Sequence, residues 1–112
     1  MLAGDRPQKV TLSGEYRSLL TYARLGSLCY INFYQLTGIQ YRDIKAVLDL
    51  PDNVIGPQLL WLKTEEYVRS DTEKRDGEGV SIYYITQKGK TAYEAITAWL
   101  RSLPDFMLVE SK

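Results

Sequence analysis

The chain has 112 residues, of which 45% are hydrophobic and 25% charged, and 14 basic and 14 acidic side chains give a formal net charge of zero. These values predict one globular domain and exclude a fibrous or largely disordered chain. Histidine is absent and there is one cysteine, which removes the common zinc sites and the Ser-His and Cys-His nucleophile pairs.

We therefore predict no enzymatic activity, no metal and no cofactor. No apolar run is long enough for a membrane span or a signal peptide, and the single cysteine suits a reducing compartment, so we expect a cytoplasmic protein.

The first third of the chain predicts a flexible arm followed by helix. Residues 1–12 are mixed and polar and form the arm. Ser13 is a good N-cap, and Thr37-Gly38 is a stop signal. Between them one or two helices are expected over residues 14–36, because Gly26-Ser27 could either break the helix or merely weaken it. The apolar positions at helical spacing are Tyr16, Leu19, Leu20, Ala23, Leu28 and Ile31.

Two further helices follow, separated by a tight turn. "YRDIKAVLDL" (41–50) is amphipathic, with Ile44, Val47 and Leu48 on its apolar face. "PDN" makes the turn, and in the next helix, which runs to about Glu66, the buried stripe consists of Ile55, Leu59 and Leu62. Its N-cap is open between Asp52 or Asn53 and Gly56, since the last would place Pro57 at the tolerated first position.

The remainder predicts a β-hairpin and a closing helix. "EYVRSDTEK" (66–74) and "VSIYYIT" (80–86) are rich in β-branched and aromatic residues, and "RDGEG" between them is a turn signal. Helical spacing returns over 87–103 through Ala92, Ile96, Trp99 and Leu100 or Leu103. Pro104 ends this helix, and residues 104–112 form a tail.

From Leu36 to Leu100 this order resembles the winged-helix transcription regulators of the MarR/PadR-like type. The resemblance is carried by "YRDIKAVLDLPDNVIGPQLLWLKTEEYV", "DGEGVSIYYIT" and "TQKGKTAYEAI". It implies an α+β, mostly α fold: a winged helix-turn-helix with a two-stranded β-hairpin wing and additional N- and C-terminal helices. The single domain would span 13–103, with the helix-turn-helix at about 41–66, the wing at 67–86 and the closing helix at 87–103.

The same resemblance implies a homodimeric transcriptional regulator on double-stranded DNA. Residues 53–63 would enter the major groove, the 74–79 wing tip would approach phosphate or the minor groove, and helices 14–25 and 90–103 would build the dimer. Asn53 and Gln58 are candidates for pairing with adenine. The candidate phosphate contacts are Arg42, Lys63, Lys74 and Arg75.

Several observations leave alternatives open. Asn53 could be only a helix cap, and Gln58 only a solvated side chain. Residues 37–68 carry three bases against five acids, so the predicted reading unit is slightly acidic. Leu60 and Trp61 fall opposite the buried stripe, where either another helix covers them or they bind a protein partner. A winged-helix protein-interaction module using the Leu60/Trp61 face is therefore the alternative function. The predicted dimer or partner residues are Tyr16, Leu20, Leu60, Trp61, Tyr93 and Trp99.

Overall fold

The computed structural model describes residues 11–104. Most of the predicted arm and almost all of the predicted tail lie outside these residues. Leu12, assigned to the arm, is buried in the core and its carbonyl accepts a hydrogen bond from Arg17 Nε at 3.2 Å. The elements in chain order are α1 (Gly14–Arg17), α2 (Tyr22–Phe33), β1 (Ile39–Gln40), α3 (Tyr41–Leu48), α4 (Asp52–Thr64), β2 (Val68–Arg75), β3 (Glu78–Ile85) and α5 (Gln87–Arg101).

The N-terminal region forms two helices, and of the two alternatives for Gly26-Ser27 the break does not occur. The chain leaves helical geometry over residues 18–21, and α2 then begins with the Thr21 side chain accepting a hydrogen bond from the backbone N–H of Arg24. Gly26 lies inside α2, where a Cβ would come within 2.7 Å of a Leu48 methyl carbon. This glycine thus allows α3 to approach α2 closely rather than breaking the helix.

The helix-turn-helix consists of α3 and α4. Ile44 and Leu48 are buried as predicted, whereas Val47 is 47% exposed and does not belong to the buried face. The helix has only eight residues, because the chain takes a left-handed conformation at Asp49 (φ 55°) and α3 ends there. A helix this short buries only one pair of residues at positions i and i+4. In α4 the predicted stripe of Ile55, Leu59 and Leu62 is fully buried.

The sheet has three antiparallel strands in the order β1-β3-β2, one more than the two-stranded wing expected. The two-residue β1 pairs Ile39 with Tyr83 and Gln40 with Ile82. In the hairpin β2 and β3 are joined by Asp76 and Gly77, both at positive φ, which is the geometry of a two-residue hairpin turn. The Asp-Gly turn predicted from the sequence is therefore present.

The closing helix α5 ends at Arg101 rather than at 103. Thr86 caps it by accepting from the backbone N–H of Gly89, and a Cβ on Gly89 would lie only 2.1 Å from the Tyr67 carbonyl oxygen. The helix is consequently seated against the start of the wing. One core joins all these elements, with α2 packed on α3, α4, α5 and β3. Its fully buried side chains include Leu19, Leu28, Ile31, Ile44, Ile55, Leu59, Leu62, Val68, Ile82 and Ile96.

Candidate nucleic-acid interface

The outward face of α4 is uncharged. Residues three and four apart share a helix face, and the four positions opposite the buried stripe are all exposed to solvent: Asn53, Pro57, Leu60 and Thr64. Leu60 is 62% exposed, and it is not part of the core. A helix that anchors one face in the core and leaves the other bare has the form required to enter a DNA groove.

The start of α4 differs from all the caps predicted from the sequence. Pro51 is the N-cap residue, its carbonyl accepts from the N–H groups of Val54 and Ile55, and no side chain caps the helix. Asn53 is then the second residue of the helix and exposed, so its amide is not used in capping. Pro57 is the sixth residue and lies within the helix, where it cannot donate to the carbonyl four residues earlier.

Gln58 and Trp61 are both held by Arg24, a residue that the sequence did not single out. The Arg24 guanidinium donates to Gln58 Oε1 at 2.7 Å and to the Ser18 carbonyl at 2.8 Å. It also lies over the Trp61 ring, 3.8 Å from its centroid. Trp61 is half-buried and packs against the core. Of the predicted pair of exposed apolar residues, only Leu60 remains open to solvent.

A polar cluster ties α3 to the first turn of α4. Asp52 accepts a hydrogen bond from the Tyr41 hydroxyl at 2.7 Å and pairs with Lys45 Nζ at 3.2 Å. The hydrogen bond from Tyr41, with help from Lys45, holds the pKa of Asp52 below its ordinary value. Burial, and then the hydrogen bond to Asp52, raise the pKa of Tyr41 to about 12. The carboxylate at the N-terminus of α4 therefore stays ionised and has partners of its own.

Arg42 lies next to the wing. It borders a depression of about 270 Å³ together with Gln40, Gly79 and Ser81, so the start of α3 and strand β3 form adjoining walls. Arg42 is exposed and makes no ion pair or side-chain hydrogen bond with any residue between 11 and 104. It remains available for a phosphate.

The two basic residues of the wing differ in their contacts. Lys74 is exposed, and within the described part of the chain no acidic group pairs with it. Arg75 pairs with Glu73 at 3.2 Å, and the second oxygen of that carboxylate accepts from the Tyr84 hydroxyl at 3.1 Å. Because the Arg75–Glu73 pair is exposed, it costs little to open. The wing thus offers one unpaired base and one weakly paired base.

Lys63 is separated from the other candidates. It lies ten residues after Asn53, which is about 15 Å along the helix axis. There it borders a second depression with Arg69 and Lys88 at the base of the hairpin. Lys88 donates to the Glu65 carbonyl at 2.7 Å, and Arg69 pairs with Asp71 at 2.7 Å. The structure therefore brings Arg42 close to the wing but places Lys63 at the opposite end of α4.

The predicted dimer residues Tyr16, Leu20, Tyr93 and Trp99 are all half-buried and pack against the core. Apolar side chains that are more strongly exposed than these four lie on α2 and just after it. Phe33 is 75% exposed and Leu36 is 95% exposed. Tyr93 adjoins this region, since it borders a depression of about 330 Å³ with Cys29, Tyr30 and Phe33. The sequence contains a signal for this apolar surface, because residues 25–41 include no charged side chain.

Within residues 11–104 no helix is both long and apolar enough to cross a bilayer. In the same range, histidine, cysteine and acidic side chains form no group that could hold a metal ion.

A family model described as a winged helix DNA-binding domain matches residues 24–103. This range begins at Arg24 on α2 and reaches the end of the closing helix. No curated protein sequence matches the chain.

Solved structures of bacterial regulators share the fold. A variant of MepR from S. aureus bound to an oligodeoxyribonucleotide superposes with a TM-score of 0.67 at 19% identity, covering 88% of this chain and 69% of that one. A MarR-family transcriptional regulator from Silicibacter pomeroyi gives 0.65 at 21% identity, covering 86% and 63%. PcaV from Streptomyces coelicolor, in complex with its natural ligand, gives 0.63 at 15% identity, covering 91% and 64%. The MarR-like architecture predicted from the sequence is confirmed, whereas the PadR-like resemblance stays a prediction.

Proposed function

The chain belongs to the winged helix DNA-binding domain family, and from that premise we propose that it is a transcriptional regulator that binds double-stranded DNA as a homodimer. The observation that carries the proposal is the bare outward face of α4, flanked by the exposed Arg42 and Lys74. Phosphate contacts supply most of the affinity in such complexes, and base contacts supply the specificity.

The balance of charges on this surface supports a moderate affinity for DNA. Asp52, Asp71 and Glu73 each pair with a base, so their charges are partly compensated locally. Beside this face Arg42 and Lys74 are exposed and engage no side-chain partner among the residues described, whereas Lys63 lies at the far end of α4. A dimer would bring four such cations to the phosphates.

A salt titration tests DNA binding. Fluorescence anisotropy with a random-sequence duplex should give a log–log slope of about −4, since each of the four phosphate contacts of a dimer contributes about −0.9. Lys74→Ala, which removes two contacts from a dimer, should flatten the slope by about 2. Arg101→Ala, at the exposed end of α5, is the charge-matched control and should leave the slope unchanged. Absence of binding at low salt would refute the proposal.

We assign the dimer contact to an apolar surface on α2 and its continuation. The residues of this surface are Tyr22, Tyr30, Phe33, Tyr34 and Leu36, and Tyr93 of α5 adjoins it. From their exposed fractions these five side chains offer on the order of 600 Å² per protomer, close to the roughly 800 Å² per partner of a stable interface. A second copy of the chain, presenting the same patch about a two-fold axis, would cover it.

Sedimentation equilibrium tests this assignment. Phe33→Ser should shift the protein to monomer, because it places a hydroxyl where the interface is most apolar. Leu60→Ser, at a comparably exposed apolar residue on α4, should leave the dimer intact. A wild-type protein that sediments as a monomer, or a Phe33→Ser variant that remains a dimer, would contradict the assigned interface.

The alternative function, a protein-interaction module using the Leu60/Trp61 face, is favoured only by the exposure of Leu60. Trp61 lies beneath Arg24 and would have to be uncovered before it could reach a partner. If the salt titration detects no DNA binding, Leu60 becomes the residue around which a protein partner should be sought.

A further inference from the structure

The outward face of α4 carries no arginine or lysine. Guanine is read most often by arginine or lysine, which donate to its O6 and N7 in the major groove. No basic residue occurs in α4 before Lys63, which lies in its last turn. Arg24 approaches the helix, but its guanidinium is engaged by Gln58, Ser18 and the Trp61 ring.

What this face does present is apolar. Pro57 and Leu60 stand at its centre, one turn apart, and Val54 is partly exposed at its edge. The group in the major groove that accepts an apolar contact is the C5-methyl of thymine. Gln58, which could have paired with adenine, has its side-chain oxygen occupied by Arg24. Asn53 is the exposed amide that remains, and asparagine pairs bidentately with adenine.

Both kinds of contact therefore select the same base pair. We infer that α4 reads A·T pairs, with Leu60 and Pro57 against thymine methyl groups and Asn53 on adenine. Leu60 is the main specificity-determining residue, because it is the most exposed apolar side chain of the helix and is not needed by the core. This inference rests on the proposed DNA-binding function and adds to it the chemistry of the preferred site.

The test removes the methyl groups without altering base pairing. A duplex of alternating A·T pairs is compared with the same duplex in which uracil replaces thymine, and with a duplex of alternating G·C pairs, by anisotropy at one low ionic strength. The wild-type protein should bind the thymine duplex most tightly. Each thymine methyl group that the protein touches should strengthen binding about fourfold relative to the uracil duplex, the value that corresponds to one buried methylene group.

Two variants show whether the Leu60 side chain is responsible for the preference for thymine over uracil. Leu60→Ala, an exposed substitution that leaves the core unchanged, should lower the thymine-to-uracil affinity ratio by about fourfold for each methyl group that Leu60 contacts, leaving only the contribution of Pro57. Val47→Ala, at a comparably exposed valine on α3, is the matched control and should keep the wild-type ratio. Any effect of uracil on the shape of the duplex would be felt equally by all three proteins.

The outcomes separate the inference from the function on which it rests. Equal binding of the thymine and uracil duplexes, a preference for the G·C duplex, or an unchanged ratio in Leu60→Ala would each overturn the inference while leaving DNA binding established. Failure to bind any of the three duplexes would instead overturn the proposed function, and the inference with it.

Discussion

Replacing Arg24 with alanine should destabilise the protein, because this side chain connects α2 to α4. Its guanidinium makes two hydrogen bonds, at 2.7 Å to Gln58 and 2.8 Å to the Ser18 carbonyl, and covers the Trp61 ring. Each hydrogen bond from a charged donor and the cation–π contact contributes about 1 kcal/mol at this partly exposed site. We expect Arg24→Ala to lower the free energy of unfolding by about 2–3 kcal/mol.

Urea unfolding followed by far-ultraviolet circular dichroism measures this decrease. In a domain of this size it corresponds to a fall in Tm of roughly 10–20 °C. A second readout comes from Trp61 itself: in a Trp99→Phe background, removal of Arg24 should shift its fluorescence to longer wavelength as water reaches the ring. A loss of stability caused by a change far from Trp61 would not produce this shift in the emission of the folded protein.

Two other variants serve as controls for Arg24→Ala. Arg24→Lys keeps the charge and the aliphatic stem but loses the planar fork, so it should fall between wild type and Arg24→Ala. Arg17→Ala removes an exposed arginine that makes a single hydrogen bond, to the Leu12 carbonyl, and should cost no more than about 1 kcal/mol. An Arg24→Ala protein within about 0.5 kcal/mol of wild type, with unchanged Trp61 emission, would refute this account of the α2–α4 contact.

Three other expectations concern the scaffold around the site. Gly89→Ala should destabilise by about 3 kcal/mol or more in thermal unfolding, since a Cβ placed 2.1 Å from the Tyr67 carbonyl oxygen requires the backbone to move; a neutral result would contradict the close seating of α5. Glu66→Gly should stabilise by up to about 1 kcal/mol, because Glu66, which directly follows the C-cap residue of α4, has φ 67°, where glycine is not strained; a lower Tm would argue against that conformation. Tyr41 should titrate near pH 12 in an absorbance titration. Its folded pKa is raised above the ordinary 10.0, so the stability from its bond to Asp52 is complete below pH 10 and is lost as the pH rises through 12. Asp52→Asn should lower this pKa, and an unchanged titration curve would remove the contact from consideration.

The helix-turn-helix and the wing could be predicted because their signals are local. The i, i+4, i+7 spacing of Ile55, Leu59 and Leu62 is a property of a single helix, and all three side chains are buried. Asp76-Gly77 favours positive φ at two successive residues, which is what a tight hairpin turn requires. Predictions that depend on a single residue within a helix are less successful. From the sequence Gly26 could either break or merely weaken the helix, and only the packed structure shows that it lies inside α2, where the absence of a side chain makes room for Leu48.

The candidate site could be predicted only in part. Asn53, Arg42 and Lys74 are exposed on the predicted elements, as a DNA contact requires, although their role in binding stays a prediction. The partners of Gln58 and Trp61 were not predictable, since Arg24 lies 34 residues before Gln58 in the chain and nothing in its local sequence indicates what it will contact.

By itself the sequence determined the order of the main helices and the hairpin, most of the side chains that these helices bury, and the hairpin turn, because these follow from side-chain period and backbone preference over a few residues. The tertiary structure decided which surface is left over. The third strand, the engagement of Arg24 and the exposure of Leu60 and Phe33 all depend on contacts between segments distant in the chain. A residue presents its side chain to DNA or to a second protomer only if no other part of the fold has already covered it, and that is a property of the packed molecule.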